Sequence, residues 1–243
     1  MGSSKHISQH QTERKLYFGY GSNLWREQML LRCPSSEYLG IARLDGWYWI
    51  INDRGYANVV QKSTNSVENT KGGDEVWGLV YSLTPTDEAR LDVNEGVPFA
   101  YTKEMHLIDF WPTGKTPEDP IDRMRKPEQE SILVYVDRKR TVPDKPKKEY
   151  IHRMNMGIAD ALKAGVPEEY INSTLRMYIP PETVSKDIET FAKQQALEFK
   201  DENIDAIRWS QELFWQHALA FKTSLLEDAS WIFPENATNT MGQ

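Results

Sequence analysis

Cysteine is almost absent from the chain, with a single residue, Cys33, among 243. One cysteine excludes an internal disulfide framework and suits a reducing compartment, so we expect a cytoplasmic protein. Long apolar runs are also missing, because no stretch reaches the roughly 18 residues that a membrane-spanning helix needs. The first residues are polar and lack the apolar stretch of a secretory signal. We therefore expect no membrane partner, and we predict that residues 1–14 are a disordered leader.

Positive charge is in deficit, with 29 Lys and Arg against 36 Asp and Glu and a formal net charge of −7. No basic stripe is present, so the composition argues against a nucleic-acid partner. The five His residues show no metal-ligand spacing with one another or with Cys33, and we expect neither a metal nor a cofactor. The hydrophobic content of 39% and aromatic content of 11% are compatible with a substantial globular core.

Strand patterns dominate the first part of the chain and helix patterns the second. Short apolar or alternating runs predict strands over residues 16–20, 37–51 with a bend at Gly46, 57–62, 75–83, 101–110 and 131–136. Helices are predicted over residues 24–32, 84–93, 149–164, 168–177 and 184–221, with a break at 201–203 in the last. Without regular βαβ alternation, this order predicts an α+β fold with a mostly antiparallel sheet or barrel. The proline- and charge-rich stretch 111–130 predicts an inserted surface loop.

The junction between the first strand and the first helix predicts a site for a small anion. It consists of Tyr17, Phe18, Gly19, Tyr20, Gly21, Ser22, Asn23 and Leu24. The two glycines permit a tight exit from the strand, and Ser22 or Asn23 can cap the following helix. Successive backbone N–H groups in such a turn can converge on an oxygen anion, and the helix N-terminus adds a favourable dipole.

Two other interpretations of this turn are open. It can be a strand-to-helix turn without a ligand. It can also be a dinucleotide fingerprint, since Gly19 and Gly21 follow a strand and open a helix. Leu24 stands where the third glycine of that fingerprint belongs, and the later chain lacks repeated βα units, which argues against this interpretation.

A second segment, Leu91–Val97, places a carboxylate at the exit of a predicted helix. Gly96 suits the left-handed conformation that ends helices, and Glu95 precedes it. The helix dipole disfavours negative charge at that end, and hydrophobic neighbours can raise the pKa of Glu95 toward a value useful for proton transfer. A surface glutamate beside a helix-ending glycine is the alternative. Asp92 could share the site or be an exposed helix carboxylate.

Taken in order, these segments resemble the γ-glutamylcyclotransferase family. The resemblance is carried by Tyr17–Leu24, Gly73–Val80, Asn94–Val97, Glu149–Ile151 with Gly157, and Gly165–Tyr170. It covers about residues 16–176 with order and spacing kept. The loop at 111–130 and everything after about Pro180 depart from the family pattern.

The resemblance implies a small β-barrel flanked by helices over residues 15–180. We expect a helical extension over 181–226 packed on the same domain and a flexible tail over 227–243. It also implies an enzyme, a carbon–nitrogen lyase in which the α-amine of a γ-glutamyl group attacks its own γ-carbonyl. This reaction releases 5-oxoproline and a free amine or peptide.

The family also implies roles for individual residues. Its glutamyl-binding residues would here be Tyr17, Phe18, Gly19, Tyr20, Gly21 and Ser22. Glu95 would be the general base and acid, and Tyr150 would contact the substrate. For Tyr150 the alternative is an aromatic residue at a helix start that packs on the barrel.

The leaving group stays open: a γ-glutamyl amino acid, glutathione, a γ-glutamylamine or a larger glutathione conjugate would all fit the reaction. The aromatic strand Trp47–Trp49 and the loop 111–130 favour a bulky conjugate if they line a wider pocket, and ordinary barrel packing is the alternative. A non-catalytic ligand-binding module on the same scaffold is the competing function. The C-terminal helical segment predicts either packing on the barrel or a homodimer interface.

Overall fold

A closed barrel of five strands is the centre of the fold, in a computed structural model that describes residues 14–62, 73–117, 119, 121–181 and 186–197. Around the barrel the strands follow the order β1 (Lys15–Gly19), β5 (Glu75–Leu83), β2 (Glu37–Asp45), β6 (Thr102–Pro112) and β7 (Glu128–Val136). Neighbours pair antiparallel except β1 and β7, which close the barrel as a parallel pair at Tyr17 and Leu133. The predicted mostly antiparallel barrel is confirmed.

A separate two-stranded sheet is formed by β3 (Trp47–Ile51) and β4 (Ala57–Gln61). The stretch 37–51 predicted a strand with a bend at Gly46, and it is two strands in different sheets. Gly46 lies between them with a φ of 76°, a left-handed conformation that favours glycine. The bend is therefore the point at which the chain leaves the barrel.

Helices flank the barrel, as the α+β prediction requires. They are α1 (Arg26–Arg32), α2 (Pro85–Asn94), α3 (Lys148–Ala164), α4 (Glu168–Ser173) and α5 (Lys186–Leu197), with short 3₁₀ turns at Ser22–Leu24 and Leu175–Met177. The start of α2 is as predicted, because the Asp87 N–H donates to Thr84 Oγ1 in a capping box. Among the described helices, none combines the length and apolarity needed to cross a bilayer.

Helix α3 comes very close to the 3₁₀ turn that follows β1. A Cβ placed on Gly157 would lie 2.8 Å from Leu24 Cβ and 3.0 Å from the Trp25 backbone nitrogen. Only glycine allows this approach, so Gly157 brings the face of α3 against the turn. Helix α5 packs in turn on α3 and α1.

Two local predictions are wrong. The first helix was expected to begin at Leu24 under a Ser22 or Asn23 cap, yet α1 begins at Arg26 with Trp25 at its N-cap and no side-chain cap bond. Both expected cap side chains are instead buried and hydrogen-bonded elsewhere. The loop predicted over 111–130 is shorter, because β6 continues to Pro112 and β7 starts at Glu128.

The predicted helix over 184–221 can be compared with the structure only in part. Residues 186–197 are helical, as α5. The predicted break at 201–203, the rest of the extension, the tail at 227–243 and residues 1–13 of the leader lie outside the described residues. The domain boundaries therefore stay predictions.

Candidate active site

One pocket gathers residues that are far apart in the sequence. It is lined by Tyr17, Tyr20, Gly21, Ser22, Asn23, Arg32, Arg54, Tyr56, Ala57, Asn94, Glu95, Tyr101, Tyr135, Tyr150 and Arg153. The strand β1, the turn after it, the end of α2 and the start of α3 all contribute. The predicted turn, Glu95 and Tyr150 thus share one pocket.

Tyr150 fastens the turn to the β3–β4 sheet. Its phenol oxygen accepts hydrogen bonds from the Ser22 N–H at 3.1 Å and from the Ala57 N–H at 3.2 Å. A Cβ on Gly21 would lie 2.8 Å from that oxygen, so glycine is required for the approach. A phenol that accepts two bonds keeps its own hydrogen for donation. Tyr150 therefore both shapes the turn and retains a donor beside the pocket.

Asn23 is the centre of a buried hydrogen-bond network. Its amide nitrogen donates to Tyr17 Oη at 2.8 Å and to Glu95 Oε1 at 2.9 Å. Its amide oxygen accepts from Gln28 Nε2 at 2.7 Å and from Arg32 Nη1 at 3.1 Å. Because a guanidinium has only donors, the Arg32 contact fixes which end of the amide is oxygen. The side chain of Asn23 thus holds the carboxylate of Glu95 in one position.

Glu95 follows α2 directly, and Gly96 after it has the predicted left-handed φ of 64°. Burial raises the pKa of Glu95 above its ordinary value. The guanidinium charge of Arg32 and the hydrogen bond from Asn23 oppose this shift, followed by the charges of Arg54 and Arg153, but they do not cancel it. A carboxylate with a raised pKa that is open to a pocket can both accept and return a proton.

Three arginines in the pocket wall were missed by the sequence reasoning. Arg153 pairs with Glu149 through Nε–Oε2 at 2.8 Å and donates from Nη1 to Ser22 Oγ at 3.1 Å. The guanidinium of Arg54 stacks over the Tyr56 and Tyr101 rings, 5.6 and 5.3 Å from their centroids. Arg32 comes from the last turn of α1. Only the i, i+4 spacing of Glu149 and Arg153 gave a signal in the sequence.

Two of the predicted binding residues lie beside the pocket and do not line it. Phe18 is fully buried, and its ring packs where a Cβ on Gly78 would come within 2.7 Å. Gly19 is the last residue of β1 and is absent from the wall. Asp92 is also outside the pocket, where it accepts from Tyr135 Oη at 2.6 Å and pairs with Lys103 at 2.9 Å. Asp92 therefore holds the hydroxyl group of Tyr135, a pocket residue, from outside the pocket.

The aromatic strand does not form a wall for the leaving group. Trp49 is buried, and its indole N–H donates to the Tyr20 carbonyl at 3.0 Å. Trp47 is buried against His106, with ring centroids 4.9 Å apart. In the described part of the loop between β6 and β7, no residue lines the pocket. Of the two interpretations, packing is therefore the one that fits Trp47 and Trp49.

The hydroxyl and thiol groups near the pocket are poorly placed to act as nucleophiles. Ser22 Oγ accepts from Gln28 Nε2 at 3.0 Å and from Arg153, and neither partner is a base. Cys33 lies outside the pocket, and burial raises its pKa to about 12, so it is a neutral thiol. Over the described ranges, no His lines the pocket, and no group of three or more His, Cys, Asp and Glu could hold a metal ion.

The barrel and its flanking helices are those of solved gamma-glutamyl cyclotransferase structures. A structure described as gamma-glutamyl cyclotransferase superposes with a TM-score of 0.54 at 25% sequence identity, covering 75% of this chain and 99% of that one. A human protein described as uncharacterized superposes equally well, also with a TM-score of 0.54 and 25% identity, over 74% of this chain and 99% of its own.

Residues 17–150 match the family model described as Gamma-glutamyl cyclotransferase, AIG2-like, and the chain belongs to that family. Among curated relatives, the gamma-glutamylcyclotransferases of Bos taurus and Homo sapiens are each 36% identical over 86 residues, or 35% of this chain. The chain spans about half the length of these relatives, 46% of each.

Proposed function

We propose that the protein is a γ-glutamylcyclotransferase that converts a γ-glutamyl amide into 5-oxoproline and a free amine or peptide. One observation carries the proposal: the Glu95 carboxylate, whose pKa is raised by burial, is held 2.9 Å from Asn23 in the pocket that the glycine turn and Tyr150 also form. The match of residues 17–150 to the family supports the same reaction.

The first task of such an enzyme is to fold the flexible glutamyl chain so that its amine meets its own γ-carbonyl. Positioning of this kind reaches effective molarities of about 10⁵–10⁸ M in favourable cases. The substrate α-carboxylate would bind at Gly21 and Ser22, where the guanidinium of Arg153 adds positive charge. Tyr17, Tyr20 and Tyr150 would enclose the glutamyl chain. We propose no direct contact for Phe18 and Gly19, which act by holding the turn.

The second task is proton transfer, and Glu95 would carry it. It takes a proton from the α-ammonium group, which frees the nitrogen lone pair to attack the γ-carbonyl carbon. A carbon–nitrogen bond forms to close the ring, and the bond to the departing nitrogen breaks. Of the three ammonium protons, one stays on the ring nitrogen and two pass through Glu95 to the departing nitrogen, which leaves as an ammonium ion. General acid–base catalysis of this kind typically contributes roughly 10²–10⁴-fold.

The leaving group is the open part of the proposal. A glutathione-derived conjugate is one candidate, beside glutathione, γ-glutamyl amino acids and γ-glutamylamines. The wall contributed by Arg54, Tyr56 and Tyr101 offers one positive charge and two aromatic rings to that group. It suits a leaving group with a carboxylate better than a simple alkylamine, because a guanidinium binds carboxylates in a bidentate manner. A cytoplasmic location and a homodimer also stay predictions, and light scattering tests the latter.

The test is to incubate the purified protein with a panel of γ-glutamyl compounds and to identify the product. The proposal expects 5-oxoproline in amounts equal to the released amine. Free glutamate in its place would show hydrolysis and would overturn the proposal. Tight binding of the compounds with neither product would instead favour the non-catalytic module.

A further inference from the structure

Helix α5, the last helix that the structure describes, contacts a residue of the pocket wall, Arg32. Arg32 is almost completely buried at the end of α1. Its Nε donates to the Ala196 carbonyl at 2.8 Å, and its Nη2 donates to the Gln195 carbonyl at 3.0 Å. Its Nη1 donates to Asn23 Oδ1 at 3.1 Å. A single guanidinium thus joins two carbonyls of α5 to the amide that holds Glu95.

We infer that α5 is a positioning element of the active site, which fixes Arg32 so that Arg32 can hold Asn23 against the Glu95 carboxylate. The inference rests on the proposed function, since Glu95 matters here as the proton-transfer group. It gives α5 a role, although α5 lies after the segment that matches the family, residues 17–150.

The geometry of a guanidinium explains why an arginine stands at this position. Its donors form a rigid planar fork, so two of them bound to α5 fix the direction of the third. The two acceptor carbonyls belong to the last described turn of α5, and a backbone carbonyl oxygen accepts hydrogen bonds from a guanidinium. A buried cation is stable only when such acceptors surround it. If α5 were released, Arg32 would lose the two acceptors that orient its Nε and Nη2 donors.

The consequence would reach Glu95 through one more hydrogen bond. The amide of Asn23 donates to Glu95 Oε1 at 2.9 Å, while its oxygen is held by Arg32 and Gln28. Loss of the Arg32 bond would leave the amide oxygen with Gln28 as its remaining described donor, and the nitrogen that donates to the carboxylate would be held less precisely. A misplacement of about 1 Å in a reacting group can cost roughly 10²-fold in rate.

The test uses the full chain with one substitution that displaces α5 and one that does not. Ala192 is fully buried in α5, so Ala192→Lys forces the helix away from its packing surface. Gln194→Lys introduces the same residue at an exposed position of the same helix and is the matched control. A third variant, Arg32→Lys, keeps the charge but removes the planar fork.

Two quantities are measured, the second on the protein and on the two variants that keep Arg32. The first is kcat and KM for 5-oxoproline formation, with circular dichroism to verify folding. The second is the hydrogen-exchange protection of the Arg32 Nε–H by NMR, which does not depend on activity. We expect Ala192→Lys to lose that protection and to lower kcat at least ~10-fold while KM changes less than ~3-fold. Gln194→Lys should match the original protein, and Arg32→Lys should lower kcat in the same way.

Two results would overturn the inference. One is a kcat within ~2-fold of the original in Ala192→Lys after Arg32 has lost its protection. The other is a kcat within ~2-fold of the original in folded Arg32→Lys, which overturns the inference whether or not Ala192→Lys folds and releases the helix. If the original protein forms no 5-oxoproline, the proposed function fails instead. In that case the exchange measurement still shows whether α5 holds Arg32.

Discussion

Two glutamates near the pocket have opposite environments. Glu149 lies in the first turn of α3, where the helix dipole favours negative charge, and both of its oxygens are bound by Arg153. Glu95 follows the last turn of α2, where the dipole disfavours the charge, and among the described residues it has a hydrogen bond from Asn23 but no ion pair. The same side chain is therefore an anchor at one position and a candidate proton carrier at the other. The difference comes from the helix end and from the direct pairing, and each can be altered by substitution.

The largest expected effect is on turnover at Glu95. Glu95→Gln keeps the shape of the side chain and an oxygen that can accept from Asn23, but it cannot carry a proton. We expect kcat for 5-oxoproline formation to fall about 10²–10⁴-fold with the thermal unfolding midpoint preserved. A folded Glu95→Gln protein that retains a tenth or more of its turnover would remove Glu95 from the mechanism.

The second-largest expected effect is a loss of stability when Glu149, which pairs with Arg153, is substituted. Glu149→Gln removes the negative charge that pairs with the buried guanidinium of Arg153, and breaking a buried pair typically costs about 3–5 kcal/mol. Urea unfolding measures the loss. The double variant Glu149→Leu with Arg153→Met removes both charges and should recover much of it. If Glu149→Gln lowers the free energy of unfolding by less than about 1 kcal/mol, the ion pair does not stabilise the fold, and the contrast between Glu149 and Glu95 is wrong.

A smaller effect is expected where Tyr150 holds the turn opposite Glu95. Tyr150→Phe removes the oxygen that accepts the Ser22 and Ala57 N–H groups, and an unsatisfied buried donor costs about 1–3 kcal/mol. We also expect KM to rise, because the turn loses its fastening. Tyr38→Phe is the control, since the buried Tyr38 hydroxyl has no hydrogen-bond partner within the described ranges. Equal losses in the two variants would show that the phenol oxygen of Tyr150 does not hold the turn.

The smallest expected effect is a shift in the pH dependence of activity. Because burial raises the pKa of Glu95, its base form is lost at a higher pH than for an ordinary glutamate near 4.3. The acid limb of the kcat/KM profile should therefore lie above that value, with activity falling as pH decreases through it. An acid limb at or below the ordinary value would mean that Glu95 is as freely ionised as an exposed glutamate.

The sequence predicted the parts of the site whose signal is local. The glycine turn, the helix exit at Glu95 and the barrel strands each show in a few consecutive residues. Asn23 was misinterpreted because a helix cap and a buried network amide have the same local appearance. Arg32 and Arg153 reach the pocket only after α1 and α3 have packed on the turn, which no local pattern encodes. For Trp47–Trp49 the sequence left both barrel packing and a pocket wall open, because core and pocket aromatics cannot be told apart before the packing is known.

The parallel pairing of β1 with β7 has a consequence for synthesis of the protein on the ribosome. β1 and the glycine turn are made before β7 and α3, but β1 closes the barrel against Leu133, and the turn is held by Tyr150. Until those residues have left the ribosome, the apolar segment Leu16–Tyr20 has an unpaired edge. Such distant pairings slow folding and expose the chain to aggregation. The pocket is therefore completed only when β7 and α3 have been made, although the wall formed by β1 and its turn precedes them in the chain.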